Sequence, residues 1–415
     1  SMNTVTTASA TIRSICQNLP KDGRCFMPAE WTLHQACLIL FPHNSRTYRL
    51  DRARQQVLQV AQTIAQEGKE PVYLLVNTQE DLDKFHKTTG NISNIHWRVC
   101  PSNDTWVRDT GPTCCFVETQ RHHTDNTAAR PRETEGPQIE KPKVLVGLDW
   151  DFNAYGGAEL GCYWPCDLDR NIASNVCQTI LNIPSYSIPL VLEGGSIHTD
   201  GDGTLLVTKE CLLHPNRNPH LSQDIIEGVL KQSLGVEVVI WLPDGLDADD
   251  DTNGHVDNFC CFTEPGHVVL AWTDDDIHDL PNFQRCRTAL QVLESTPDAK
   301  GRSIQVHKLP LPSPPLYYTE EEVRDLNHGL DDMDRDVFGR RAGEKMAASY
   351  VNFYIANKAV VVPQFGVPSD EQAMAVLQER FPTRKVIGVS SREILLGGGN
   401  IHCITQQIPI DPSRS

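Results

Sequence analysis

The heptapeptide Leu192-Glu193-Gly194-Gly195-Ser196-Ile197-His198 returns near the C-terminus as Leu396-Gly397-Gly398-Gly399-Asn400-Ile401-His402, identical at five of seven positions. Two further turns of the same character are Gly254-His255-Val256-Asp257 and Arg108-Asp109-Thr110-Gly111-Pro112. Each interrupts two strand-like runs, and the runs are separated by amphipathic helical periodicity. A unit that returns in this way cannot bury its apolar face alone, so its copies must stack on one another.

Five amphipathic helices are predicted. Ala53, Val57, Val60, Ala61 and Ile64 line the first, which Gly68 ends. Leu168, Ile172, Val176 and Ile180 recur every four residues in the second. Ser222 is the expected N-cap of the third, which carries Ile225, Ile226, Val229 and Leu230 before Gly235. The fourth carries Phe283, Cys286, Leu290 and Leu293. The fifth begins at Ser369 with Gln372 at capping-box spacing, followed by Ala373, Val376 and Leu377. Short β-rich runs lie between them, at residues 36–41, 72–76, 205–207, 236–242, 268–272, 304–309 and 359–362. A length of 415 residues suggests two or three domains. The repeat instead implies one α/β domain of pseudo-fivefold symmetry closed around an axis, with an ordinary open α/β sheet as the alternative. That domain is expected over residues 27–410. Two stretches fall outside the pattern: a polar insertion at 118–143, and a segment at 313–349 that serves as either a lid or a surface helix pair.

Composition narrows the function. With 39% hydrophobic and 22% charged residues the chain reads as globular. A net charge of −17 argues against binding a phosphate backbone and suits a cationic ligand. No run of about 18 apolar residues is present, so no spanning helix is expected. Ser1-Met2 reads as a tag remnant before the initiator. Residues 1–26 read as a partly disordered extension without a secretory apolar core, and the single Arg between Asn3 and Cys16 argues against an organelle transit peptide. The fourteen Cys include no C-x-x-C, which removes the usual zinc-ribbon pattern and points to a reducing, cytoplasmic setting.

Convergent turns would bring Asp109, Glu193, His255, Asp257 and Cys403 together. Cys is the best nucleophile of the set and His255 a general acid and base near neutral pH. Glu193 would hold His255 in its charged form. The remaining carboxylates are costly to bury unless they meet a cation, and a planar guanidinium fits two of them bidentately. Trp106 is placed to stack on that cation or its alkyl stem. Taken singly, each residue has a plainer reading as core or turn; their joint placement at equivalent turns sets them apart. Asp249, Asp251, Asn253 and Gly254 imitate the first half of a calcium loop. Cys260 stands where its closing Glu belongs, and a strand follows where a helix is required. The triple glycine 397–399 lacks the Lys and the following helix of a phosphate loop.

At this point the sequence resembles the agmatine deiminase family of the guanidino-modifying superfamily. The matching stretches are Met27-Pro28-Ala29-Glu30-Trp31, Asn103 to Pro112, Phe152-Asn153-Ala154-Tyr155-Gly156-Gly157, Leu192 to Gly195, Asp251 to Asn258, Ala348 to Tyr354 and Gly397 to Cys403. The resemblance implies a five-bladed α/β propeller of the pentein type. It also implies a hydrolase acting on linear amidines, converting agmatine to N-carbamoylputrescine and ammonia in polyamine supply. On matching positions it makes Cys403 the nucleophile, His255 the acid and base, Glu193 the His partner and a guanidinium contact, and Asp109 and Asp257 the guanidinium clamp. Trp106, Gly398 and Gly399 are expected to line the substrate. Phe41 and Tyr155 replace expected Trp residues, and neither is expected to touch the clamp. Asp251 is expected to meet the substrate's tail ammonium. No metal or organic cofactor is expected, and the only partner expected is a small cationic guanidino substrate, with no nucleic acid or membrane; a homo-oligomer is left open. The alternatives are a deiminase of arginine or peptidyl-arginine, and a non-enzymatic propeller of the same fold.

Overall fold

The computed structural model describes residues 2–21, 23–119, 143–328, 330 and 339–414, with residues 2–6 and 119 given by their backbone. The chain folds into five small sheets of three or four strands. All five share one plan. A short strand runs antiparallel to a buried central strand, and the central strand runs parallel to a third, reached through a helix. In chain order the first two strands of each unit are Thr113–Thr119 with Lys143–Asp151, His198–Thr199 with Thr204–Thr208, Cys260–Glu264 with His267–Trp272, Tyr354–Ile355 with Ala359–Gln364, and Thr405–Pro409 with His34–Leu40. The parallel partners are Ser185–Val191, Val238–Leu242, Gln305–Pro310, Lys385–Ser390 and Val72–Val76. Parallel pairing needs such a helical crossover, whereas the antiparallel pair needs only a turn. The last sheet joins the two ends of the chain, with Thr405 opposite Ile39 and Ile408 opposite Ala36.

The expected helices form where the apolar spacing places them. Leu50–Gln66 buries Ala53, Val57, Val60, Ala61 and Ile64 completely. Gln223–Leu234 starts where Ser222 Oγ accepts the N–H of Ile225, and ends on the left-handed Gly235. These helices bridge sheets: Leu50–Gln66 packs on the strands of the fourth and fifth sheets, and Leu280–Ser295 on the second and third. The second predicted helix is irregular, passing from a 3-10 turn at Asp169–Asn171 through Ile172–Asn175 to a π turn at Val176–Leu181. Its Cys177 rests directly on Gly147, where a Cβ would collide with the sulfur.

One expectation is corrected. The capping box predicted at Ser369 and Gln372 does not form. Ser369 is already inside the helix Ser369–Arg380, and its hydroxyl pairs with Tyr350 and with the N–H of Ser313. A full capping box sits instead at Thr319 and Glu322. In the extension expected to be partly disordered, Met2–Ile15 is helical. Ile12 and Ile15 pack into a cluster with buried Cys16, Leu19, Ile226 and Val229. The predicted insertion 118–143 connects the two strands of an antiparallel pair, with Glu118 opposite Lys143; residues 120–142 lie outside the described residues.

The segment 313–349 is described at 313–328, 330 and 339–349. Leu316, Tyr318, Leu326, Met346 and Ala348 form a cluster with Leu395 and Leu396, and Arg392 pairs with Glu322 at 2.6 Å. No described helix is long and apolar enough to cross a membrane.

Candidate active site

The turn that enters the first strand of each sheet points to one place. Val107–Thr110 is a single helical turn, Gly194–Ser196 and Val256–Asn258 are 3-10 turns, and residues 349–353 and 397–404 are irregular. Asp109, Glu193, His255, Asp257 and Cys403 are all buried there. Their convergence is visible at Gly195. A Cβ built on it would lie 2.6 Å from His255 Nδ1 and 2.9 Å from both Asp109 Oδ1 and Asp257 Oδ2. Only a residue without a side chain lets these three groups meet. The Gly195 N–H donates to Asp109 Oδ1 at 2.8 Å. Across the site, a Cβ at Gly399 would meet the Trp106 ring at 2.5 Å and Cys403 Cβ at 3.0 Å.

The carboxylates divide by their partners. Glu193 Oε1 accepts the Arg217 Nε–H at 2.8 Å, is ion-paired with Arg217 Nη2 at 2.6 Å, and lies 3.3 Å from His255 Nε2. Burial works against its charge, but Arg217 and His255 bring its pKa down to about 2. Asp257 also stays below the usual carboxyl range against burial, through its 2.8 Å contact with His402 and the nearby His255. Asp109 is pushed up, chiefly by burial and by neighbouring Asp257 and Glu193, although His255 and Tyr155 favour its charge. Burial disfavours imidazolium at His255, yet Asp109, Cys211 and Glu193 together hold its pKa well above the ordinary range. The Cys403 thiol is driven far up by burial, then by Asp257 and Asp109. With no cationic ligand, the sulfur therefore keeps its proton at neutral pH. Asp257 Oδ1 and Trp106 Nε1 have no partner among the described residues.

Three side chains here were missed by sequence reasoning. Asn352 donates to Cys403 Sγ at 3.3 Å, and its Oδ1 accepts the N–H groups of His402 and Cys403 at 2.9 and 3.3 Å. It occupies the fourth unit's turn, the one repeat position to which no residue was assigned, so the repeat itself carried the signal. Arg217 follows a short helix, Lys209–Leu212, outside any repeated turn, and nothing in its spacing marks it. His402, beside the nucleophile candidate, is fixed between Asp257 and Glu30 at 2.8 and 2.9 Å.

One expectation fails. Tyr155 does touch the clamp: its hydroxyl donates to Asp109 Oδ2 at 2.6 Å, and its ring stands edge-on to His255. The turn carrying it has left-handed Ala154 and Tyr155, which swing the phenol inward. Phe41 stays away, packed on Trp97 and Phe85. Asp251, the expected ligand of the tail ammonium, has a cationic partner in this chain. Arg340 grips it bidentately at 2.7 and 2.9 Å, and Tyr163 adds a 2.9 Å bond. Tyr163 OH and Arg340 Nη2 also reach the carbonyl of Gly397. The rings of Trp106, Tyr163 and Tyr155 follow one another at centroid distances of 5.6 and 5.5 Å, forming an aromatic wall between the Cys403 end and the His255 end.

The decoy loop uses its acids internally. Asp249 accepts from the Thr252 hydroxyl, the His255 N–H and the Asn258 amide. Donor atoms of Glu193, Cys211 and His255 lie within 4.8 Å of one another, close enough for a metal. Arg217 already faces two of them, at 2.6 Å from Glu193 and 3.9 Å from Cys211. A metal cation would have to compete with that guanidinium.

Geometry and charge thus define a class: an α/β protein whose repeated turns gather a thiol, an imidazole and three carboxylates in one buried place. The sequence profile of the Porphyromonas-type peptidyl-arginine deiminases matches residues 26–409. An agmatine deiminase of Pseudomonas fluorescens is 44% identical over 397 residues, covering 95% of this chain and 98% of its own length. The chain is similar to the solved structure of the agmatine deiminase of Enterococcus faecalis, with TM-score 0.79, 35% identity and coverage of 94% and 96%. It is also similar to a cysteine-to-serine variant of C. jejuni agmatine deiminase with substrate bound, with TM-score 0.71, 25% identity and coverage of 94% and 98%. The chain belongs to the Porphyromonas-type peptidyl-arginine deiminase family.

Proposed function

We propose that this chain is an agmatine deiminase, hydrolysing agmatine to N-carbamoylputrescine and ammonia through an amidino-cysteine intermediate. The observation that carries the reading is the meeting of Asp109, Asp257 and His255 on Gly195, with Cys403 beside Asp257 at 3.7 Å. Agmatine deiminases that match nearly the whole chain support it.

Asp109 and Asp257 clamp the guanidinium, and Glu193 contacts it while holding His255. The arriving cation neutralises the two carboxylates that keep the thiol protonated, so Cys403 loses its proton as substrate binds. That proton passes to solvent, while His255, held as imidazolium by Asp109, Cys211 and Glu193, keeps its own for the leaving nitrogen. Asn352 supports the sulfur with an N–H. The sulfur then bonds to the guanidinium carbon. One C–N bond of that carbon breaks, and the nitrogen leaves as ammonia with a proton from His255. Water activated by His255 next adds to the amidino-thioether carbon, the C–S bond breaks, and the ureido product departs. The fixed carboxylates supply the charge stabilisation.

At the other end, Asp251 is read as the ligand of the tail ammonium once Arg340 yields, with Trp106, Gly398 and Gly399 along the stem. The described part of 313–349 covers this end because Arg340 belongs to it. Arg340 also favours a second reading, since free arginine would need a cationic side chain for its α-carboxylate. Steady-state ammonia release on agmatine, free arginine and a peptidyl arginine decides between them. High turnover of agmatine with negligible turnover of the others is expected, and comparable turnover of free arginine overturns the assignment. The amidino adduct should be trapped on Cys403 by mass spectrometry, and activity retained in Cys403→Ala would sink the covalent route.

For the architecture we read the five sheets as a closed five-bladed propeller over residues 27–410, with residues 1–26 as an appendage. The pairing of the two chain ends in one sheet and the helices that bridge successive sheets support closure. A cytoplasmic setting and a role in polyamine supply accord with fourteen free thiols and with this substrate.

A further inference from the structure

Beneath the reacting groups lies a second buried set that the mechanism above does not use: Glu30, Arg108, His198 and His402, all within the protein core. His402 is its centre. Its Nδ1 lies 2.8 Å from Asp257 Oδ2, and its Nε2 lies 2.9 and 3.0 Å from the two oxygens of Glu30. A neutral imidazole has one N–H and would turn a bare nitrogen lone pair onto one of these carboxylates. With hydrogen on both nitrogens, both contacts become charge-assisted hydrogen bonds. Glu30 also faces the Arg108 guanidinium, with Nη1 at 3.5 Å, and His198 Nε2 at 3.6 Å.

The placement matters because of what it leaves open. Asp257 spends Oδ2 on His402 and on the Cys403 thiol, while Oδ1 is buried without a partner among the described residues. A buried carboxylate oxygen without a donor is costly unless a donor arrives with a ligand. The backbone on the other side is equally fixed, since Arg108 Nε holds the carbonyl of His402 at 3.2 Å and Asn352 holds its N–H at 2.9 Å.

We propose that His402, as an imidazolium held between Glu30 and Asp257, is a positioning residue that keeps Asp257 ionised and turned so that Oδ1 faces the incoming guanidinium. This rests on the assignment of Asp257 to the clamp. His402 touches no reacting atom; it acts through Asp257, and Glu30 acts through His402. The charged or titratable groups facing this pair are Glu30, Arg108 and His198 on the His402 side, and His255, Asp109, Asp249, Cys261 and Cys403 on the Asp257 side. Among the described residues, His402 alone hydrogen-bonds the Asp257 carboxylate with a full charge. Its removal therefore raises the carboxyl's proton affinity.

The test is the pH profile of kcat/KM for agmatine in wild type, His402→Asn and Glu30→Gln. Asn can keep one N–H toward Asp257 but carries no charge. The acid limb is expected to move upward by about one pH unit or more, with KM raised more than kcat is lowered, and Glu30→Gln moving the limb in the same direction by less. An acid limb unchanged in either folded variant overturns the proposal, since a merely structural role lowers activity at every pH without moving the limb. If the wild type itself fails on agmatine, it is the substrate assignment that falls. Neutron diffraction from wild-type crystals near pH 8 needs no variant. Deuterium on both ring nitrogens of His402 is expected, and a single deuteron overturns the proposal.

Discussion

Gly195 shows how much of this site rests on an atom that is missing by design of the sequence. Its φ is not left-handed, so the backbone would accept alanine; the obstacle is the Cβ, which would enter the space shared by His255, Asp109 and Asp257. Gly195→Ala should lower kcat/KM by at least about 100-fold, of the order seen when a preorganised contact is lost. Its cost in stability should stay within about 1–3 kcal/mol; ammonia release and urea unfolding measure the two. Arg217 acts through charge instead. Arg217→Met leaves Glu193 buried with only His255 beside it, which should cost about 3–5 kcal/mol. The pH dependence follows in sign. Glu193 sits near 2 in the folded state against about 4.3 unfolded, so its stabilising effect is complete above the higher value and fades as pH falls toward the lower. In Arg217→Met the acid-unfolding midpoint, followed by circular dichroism, should move to higher pH.

At the scale of elements, the helix Met2–Ile15 illustrates a surface that sequence patterning underrates. Its Thr- and Ala-rich composition reads as tail, but Ile12 fits against Gly228 of Gln223–Leu234, where any Cβ would strike it. Gly228→Val should therefore lift the helix away and lower the thermal midpoint. Activity should change less than about twofold, because the contact disturbed is that of Ile12 on Gly228, which involves none of the site residues. The capping box at Thr319 is a comparable local device. Thr319→Ala should cost about 1 kcal/mol, read by denaturant unfolding. It also loosens Glu322, which Arg392 holds at 2.6 Å from the residues just before the triple glycine.

For the molecule as a whole, a net charge of −17 sets a long-range field that draws in a cation, while the clamp sets its orientation. Rising salt from about 20 to 300 mM shortens the screening length from about 20 Å to under 10 Å. It should lower kcat/KM for agmatine a few-fold with kcat nearly unchanged, as steady-state kinetics would show. The buried Asp109, Asp257 and Glu193 are shielded from that screening, so the fall should level off instead of continuing to zero.

The amino-acid sequence determined the repeated unit and the turns that carry chemistry, because apolar spacing and glycine-bearing motifs are local properties of a chain. It also singled out Asp109, Glu193, His255, Asp257 and Cys403, which occupy equivalent turns and so share one local signature. Tertiary structure alone decided who neutralises whom. Arg217 lies 24 positions from Glu193, and Arg340 lies 89 from Asp251. Tyr155 reaches Asp109 across 46 residues, and Glu30 reaches His402 across 372. No periodicity links such pairs. Their proton affinities depend on burial and on distances of about 3 Å, which exist only once the turns have been brought together.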